Sequence, residues 1–238
     1  MATFVLVHGG GHGGWCYGRL SPLLRTAGHT VLAPTLTGLG ERKHLLRPGI
    51  DLDTHITDVV NMLEYEDLTD VILAGHSYGG MVITGVADRA APRIGHLVFL
   101  DAAHPKNGES LADIAAPMMA MARNEMRVVD GVELVLWPDS QAVAHYGVTD
   151  AADFAWLKSK LTPHPWKCFT QKLLLTNETA VGRIPRTNIC CTAGLQAPGY
   201  REEMQKAERF FEIDTGHDLM ITRPRAVADM LLQVAQPV

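Results

Sequence analysis

The sequence predicts an α/β protein: a mostly parallel sheet of about six strands, covered by helices on both faces, with a mostly helical insertion. Three observations predict it. Six short apolar runs lack the alternation of a half-exposed strand, so each reads as a strand buried on both faces. Helical patterns lie between these runs, which implies parallel pairing. Residues 105–185 hold no convincing run of this kind, so the alternation breaks there.

The runs are Phe4-Val5-Leu6-Val7, Thr30-Val31-Leu32-Ala33, Val71-Ile72-Leu73-Ala74, Leu97-Val98-Phe99-Leu100, Asn188-Ile189-Cys190-Cys191 and Phe210-Phe211-Glu212-Ile213. Helices are expected over 17–27, 53–65, 80–91 and 224–235. In the second of these, Ile56, Val59, Val60 and Leu63 share one face. Pro224 suits the first turn of the last, because its missing N–H is one a helix start leaves unpaired anyway. Residues 1–104 and 186–238 then form the core, and 105–185 an insertion that would roof the carboxyl edge of the sheet.

Composition narrows the function. The chain has 238 residues, is 47% hydrophobic and 20% charged, and carries a formal net charge of −5. That fits a globular domain and argues against nucleic acid as a partner, since no basic stripe is visible. No apolar run approaches the ~20 residues that span a bilayer. The N-terminus enters a strand at once, without the basic segment of a signal peptide. The cysteines Cys16, Cys168, Cys190 and Cys191 form no C-x-x-C pair, so reduced thiols and a cytoplasmic location are expected. Eleven histidines include no H-E-x-x-H spacing, so no metal is expected.

Gly75-His76-Ser77-Tyr78-Gly79 is the segment that carries chemistry. It reads G-x-S-x-G between a strand and a helix, the context of a nucleophile elbow. A serine hydroxyl needs a base within hydrogen-bond reach. His217 is the candidate, in the loop Asp214-Thr215-Gly216-His217-Asp218 between the last strand and the last helix. An oxyanion needs two backbone donors. Tyr78, next to the nucleophile, supplies one. The glycine loop His8-Gly9-Gly10-Gly11-His12-Gly13-Gly14-Trp15 supplies the other, assigned to Gly10. His8 and His76 flank these loops and are expected to hydrogen-bond backbone there.

His8-Gly9, Gly13-Gly14-Trp15-Cys16, Gly75-His76-Ser77-Tyr78-Gly79-Gly80-Met81 and Thr215-Gly216-His217-Asp218 together resemble the α/β-hydrolase superfamily. Within it the likeness is to the branch of plant methylesterases, hydroxynitrile lyases and bacterial esterases. Leu36-Thr37-Gly38-Leu39-Gly40-Glu41-Arg42 resembles the bacterial esterase and carbamate-esterase members. The resemblance covers nearly the whole chain and implies an α/β-hydrolase fold with cofactor-free hydrolysis of small esters. A small-molecule ester is then the expected partner, and a homodimer is compatible with the reading.

The sequence departs from the plant relatives at the triad acid. They carry it after the penultimate strand, where this chain reads Thr192-Ala193-Gly194-Leu195-Gln196-Ala197, with no carboxylate before Glu202. Asp101, at the end of the fourth strand, is the expected substitute, with Asp214 and Glu202 as alternatives. An acid there would hold the imidazole tautomer and stabilise the imidazolium. For the substrate pocket, Cys16, Met118, Trp137 and Trp156 are the expected lining. Hydrolysis of apolar or aromatic carboxylic esters leads, with carbamate esters next. A lyase of this branch would carry a lysine after the histidine; Asp218 stands there and is expected to repel cyanide. A slow-turnover ligand receptor is the remaining alternative.

Overall fold

The computed structural model describes residues 1–193 and 200–236. The main sheet contains β1 (Thr3–Val7), β2 (Thr30–Leu32), β3 (Val71–His76), β4 (Ile94–Leu100), β8 (Arg186–Cys191) and β9 (Arg209–Ile213). Their order is β2-β1-β3-β4-β8-β9, and every adjacent pair is parallel. The insertion between β4 and β8 holds β5 (Arg127–Val129), β6 (Val132–Val135) and β7 (His164–Pro165).

Both faces of the sheet's four inner strands are covered, as the apolar runs require. The edge strands β2 and β9 are only partly buried, having a neighbour on one side alone. Side chains alternate across a strand, so Val5 and Val7 of β1 enter one core while Phe4 and Leu6 enter the other. The first core is closed by α2 (Leu52–Tyr65) and α3 (Gly79–Ala90). Helix α2 starts at a reciprocal cap: Asp51 accepts from the Thr54 amide, and the Thr54 hydroxyl accepts from the Asp51 amide. The second core is closed by α1 (Ser21–Thr26) and α12 (Pro224–Val234), through Leu24, Val227 and Leu231. The helix expected over 17–27 is shorter, because Gly14–Tyr17 forms a separate 3-10 turn before α1.

The insertion contains α4 (Leu111–Ile114), α5 (Ala116–Asn124), α6 (Gln141–Ala144), α7 (Ala151–Lys160), α8 (Lys167–Thr170) and α9 (Glu178–Arg183). It also forms the antiparallel sheet β5-β6-β7, absent from the sequence reading. That sheet was illegible because its strands are two to four residues long, too short to show a period. After β8 the chain continues through α10 (Tyr200–Met204) and, past β9, α11 (Leu219–Thr222). No helix among the described residues is long and apolar enough to cross a membrane.

All six strands point one way, so their carboxyl ends share an edge. Loops there form the crevice in which open α/β sheets bind ligands. Residues 8–15, Ser77, Asp101 and residues 214–218 all leave the sheet at that edge.

Candidate active site

Ser77 sits at the tip of a strained turn. Its φ of +53° is the left-handed region that a serine rarely adopts. The turn is set by close approach on both sides. A Cβ on Gly75 would lie 2.6 Å from the Gly79 carbonyl oxygen, and one on Gly79 would lie 2.6 Å from that of Val7. The Ser77 carbonyl accepts from the amides of Gly80 and Ala103, both at 3.0 Å, which locks the turn.

Asp101 is the second strained residue, with φ +44°. Its amide donates to Ile189 O (2.8 Å), and its Oδ1 accepts from the Cys191 amide (3.1 Å). The other carboxylate oxygen lies 2.6 Å from His217 Nδ1. Asp214 instead accepts from the Thr192 hydroxyl, and Glu202 is exposed on α10. Of the stretch 192–197, where the plant relatives' acid would be sought, Thr192 and Ala193 are described and 194–197 lie outside the described residues.

Burial works to lower the His217 pKa, but the bond to Asp101, that carboxylate's charge and the charge of Asp218 raise it above the ordinary histidine value. Below the ring, His76 Nε2 donates to the His217 carbonyl (3.0 Å). His76 itself is fully buried, and burial, with the neighbouring His217 and His12, holds its pKa well down.

The glycine loop is held by side chains rather than by its own. His8 Nε2 accepts from the Leu36 amide (3.0 Å), which leaves Nδ1–H to donate to Gly9 O (2.9 Å). Burial pushes the His8 pKa down to about 3, so it stays neutral. Both flanking histidines thus bond backbone, as the sequence implies. The insertion grips the same loop: Thr162 donates its amide to Gly11 O (2.9 Å), and His164 Nδ1 accepts from the Gly11 amide (3.2 Å).

Gly10, Ser77, Tyr78 and His217 line one cavity of about 40 Å³, closed by Leu111, Met118, Met119, Leu136, Tyr146 and Phe169. Of the four expected pocket residues, Met118 lies here. Cys16 packs in the core beneath α1 and α12. Trp156 stacks edge-on against Trp15, under the Arg19 guanidinium, and Trp137 carries Arg127 over its ring. Trp137 and Trp156 are both half-buried beneath arginine side chains and neither lines the cavity, which composition does not reveal. Asp218, directly after His217, is fully buried against His12 and is not among the residues that line the cavity. Leu136, which no sequence signal marks for the cavity, has φ +56° and directly follows β6.

His55, His164 and Cys168 bring one ligand-type atom each within 4.8 Å of the others. Their hydrogen bonds argue against a cation. His55 Nε2–H donates to Thr37 O (3.0 Å), and its Nδ1 accepts from the Tyr78 hydroxyl (2.9 Å). Because His164 Nδ1 accepts from Gly11, its Nε2 carries the proton and has no lone pair to give. Burial keeps the Cys168 thiol protonated. The trio braces the Tyr78 side chain.

The model of the alpha/beta hydrolase family matches residues 4–230. The carbendazim hydrolyzing esterase of Nocardioides sp. is 62% identical over 111 residues, 47% of this chain and 46% of that protein. Methylesterase 1 of Arabidopsis thaliana is 26% identical over 98% of this chain and 95% of its own. Among solved structures, an extracellular α/β-hydrolase from a Paenibacillus species, described as sharing structural and functional homology with tobacco salicylic acid binding protein 2, superposes with a TM-score of 0.78. It is 25% identical and covers 98% of both chains. The methylesterase MES16 from Arabidopsis gives 0.79 at 25% identity and 99% coverage of both.

Proposed function

The chain belongs to the α/β-hydrolase family, and on that premise we propose that it is a serine esterase acting on small, uncharged carboxylic esters through an acyl-enzyme. The observation that carries the reading is the 2.6 Å bond between His217 Nδ1 and Asp101, with His217 and Ser77 on the wall of one cavity. The esterase relatives support the reaction class.

The steps follow from the residues. Ser77 Oγ attacks the ester carbonyl as His217 Nε2 takes its proton. Asp101 keeps the Nδ1–H tautomer and balances the imidazolium. Negative charge on the carbonyl oxygen is met by the amides of Gly10 and Tyr78. Collapse expels the alcohol, which leaves with the proton from His217. Water then repeats the sequence on the acyl-enzyme, and His217 again serves as base and acid. The closing side chains are Leu, Met, Phe and Tyr, with no Lys or Arg, which favours neutral apolar or aromatic substrates. The buried thiols of Cys16 and Cys168 fit a reducing, cytoplasmic setting.

Carbamate-ester cleavage is the second reading. It uses the same tetrahedral chemistry and draws on the likeness to the carbendazim-hydrolysing relative. Labelling with a fluorophosphonate, followed by peptide mass mapping, tests the nucleophile; the adduct is expected on Ser77, and an adduct elsewhere sinks the assignment. A screen of methyl, aryl and carbamate esters, with Ser77→Ala as blank, separates the two substrate classes.

A further inference from the structure

His12 belongs to none of these steps, yet it is buried at 1% exposure between the two halves of the site. Its Nδ1 lies 2.8 Å from Gly10 O and its Nε2 lies 3.1 Å from Asp218 Oδ2. A carbonyl can only accept, so Nδ1 must carry a hydrogen. A hydrogen must also lie between Nε2 and the carboxylate, whichever of the two holds it, since two lone pairs cannot face each other. Asp218 is itself fully buried, in direct sequence after His217, and its amide donates to Tyr146 O (2.9 Å). The Tyr146 hydroxyl in turn donates to Gly10 O (3.1 Å). The Gly10 carbonyl therefore receives two side-chain donors, both tethered to the histidine loop through Asp218.

Gly10 has no side chain to fix its torsions. Two peptide planes meet at its Cα, and each is held by an imidazole: His8 on Gly9 O, His12 on Gly10 O. An oxyanion donor must be aimed before charge develops, because reorientation during reaction costs the stabilisation it would give.

We propose that His12 is a positioning residue for the oxyanion hole, clamping the Gly10 carbonyl through Nδ1 while Asp218 anchors its Nε2 beside the general base. This rests on the esterase reading above. The clamp holds the peptide plane that follows the Gly10 Cα, so that the plane carrying the Gly10 amide, held by His8, is braced from both sides. It also ties the oxyanion loop to the loop that carries His217. It acts on the charged tetrahedral state and leaves binding of the neutral ester untouched.

Two amides separate the two ends of the imidazole. The Asn amide nitrogen reproduces His Nδ1, so His12→Asn keeps the donor to Gly10 and releases Asp218. The Gln amide reproduces Nε2, so His12→Gln keeps Asp218 and releases Gly10. On the high-pH plateau with p-nitrophenyl acetate, His12→Gln is expected to lower kcat about a hundredfold with KM changed less than about threefold. Its affinity for benzyl trifluoromethyl ketone, which forms a charged adduct on serine, should fall by the same factor. His12→Asn should recover most of both. Asp218→Ala removes the anchor and leaves the His12 donor to Gly10, so it should resemble His12→Asn. A merely structural histidine would give losses that follow melting temperature, equal for Asn and Gln, with ketone affinity unmoved; that result overturns the clamp. Wild-type protein that is not labelled by fluorophosphonate overturns the esterase reading, and the clamp with it. A labelled wild type with equivalent Asn and Gln variants overturns the clamp alone.

Discussion

At the scale of single residues, the site rests on two side chains held at positive φ. A left-handed residue with a Cβ costs roughly 1–2 kcal/mol, and Ser77 and Asp101 both stand there. Glycine escapes that cost, so Ser77→Gly is expected to unfold about 1 kcal/mol harder than Ser77→Ala in urea, although both are inactive. Equal stabilities would mean the elbow holds no strain. Asp101→Asn leaves the shape and removes the charge and tautomer control, so kcat should drop about 10⁴-fold. A loss under tenfold would move the role to Asp214 or Glu202. The pH profile carries a sign. As the proposed base His217 works only when neutral, and its pKa is raised above the ordinary value of about 6.5. Activity should therefore rise with pH through a midpoint above that value, and Asp101→Asn should shift the midpoint down.

At the scale of elements, the roof lines the cavity through Leu111, Met118, Met119, Leu136, Tyr146 and Phe169, so the proposed selectivity is tested there. Leu136 leaves β6 in a left-handed conformation, and its Cδ1 would lie 2.8 Å from a Cβ on Gly10. It thus stands directly over the oxyanion donor. Leu136→Ala is expected to favour longer acyl groups over acetyl by about tenfold in kcat/KM, the low end of what one methylene is worth in an apolar pocket. A chain-length series of p-nitrophenyl esters reads this directly, and an unchanged series would remove Leu136 from the acyl side. What the sequence could show of the elements followed from burial. Runs such as Val71–Ala74 are apolar because both sheet faces are covered there, and the glycines of G-x-S-x-G are required because a Cβ on Gly75 or Gly79 would meet a backbone oxygen at 2.6 Å. The pairing of His217 with Asp101 was legible only as the join of two strand ends. The placement of Trp137 and Trp156 was not legible, because aromatic residues serve stacking as readily as a pocket.

At the scale of the whole molecule, buried neutral imidazoles set a limit on acid tolerance. His8, held near 3, and His104, held near 4, are pushed down first by burial, as are His76 and His164. Groups with depressed folded pKa values give stability that is present above about 6.5 and lost as pH falls toward the folded value. Each such histidine removes up to about 1.4 kcal/mol per pH unit in that window. Urea midpoints should therefore fall steeply from pH 6.5 to 4, and His8→Gln should flatten the slope. His217 has the opposite sign, its contribution fading as pH rises through its raised value. The cavity beside Ser77, at about 40 Å³, has a consequence of its own. Much of its ceiling is thioether, and methionine yields to shape at little cost. An ester of the proposed class would have to displace Met118 and Met119 to enter, which would make the fit elastic. The enzyme should grade its substrates along a smooth slope of size, with no sharp cutoff.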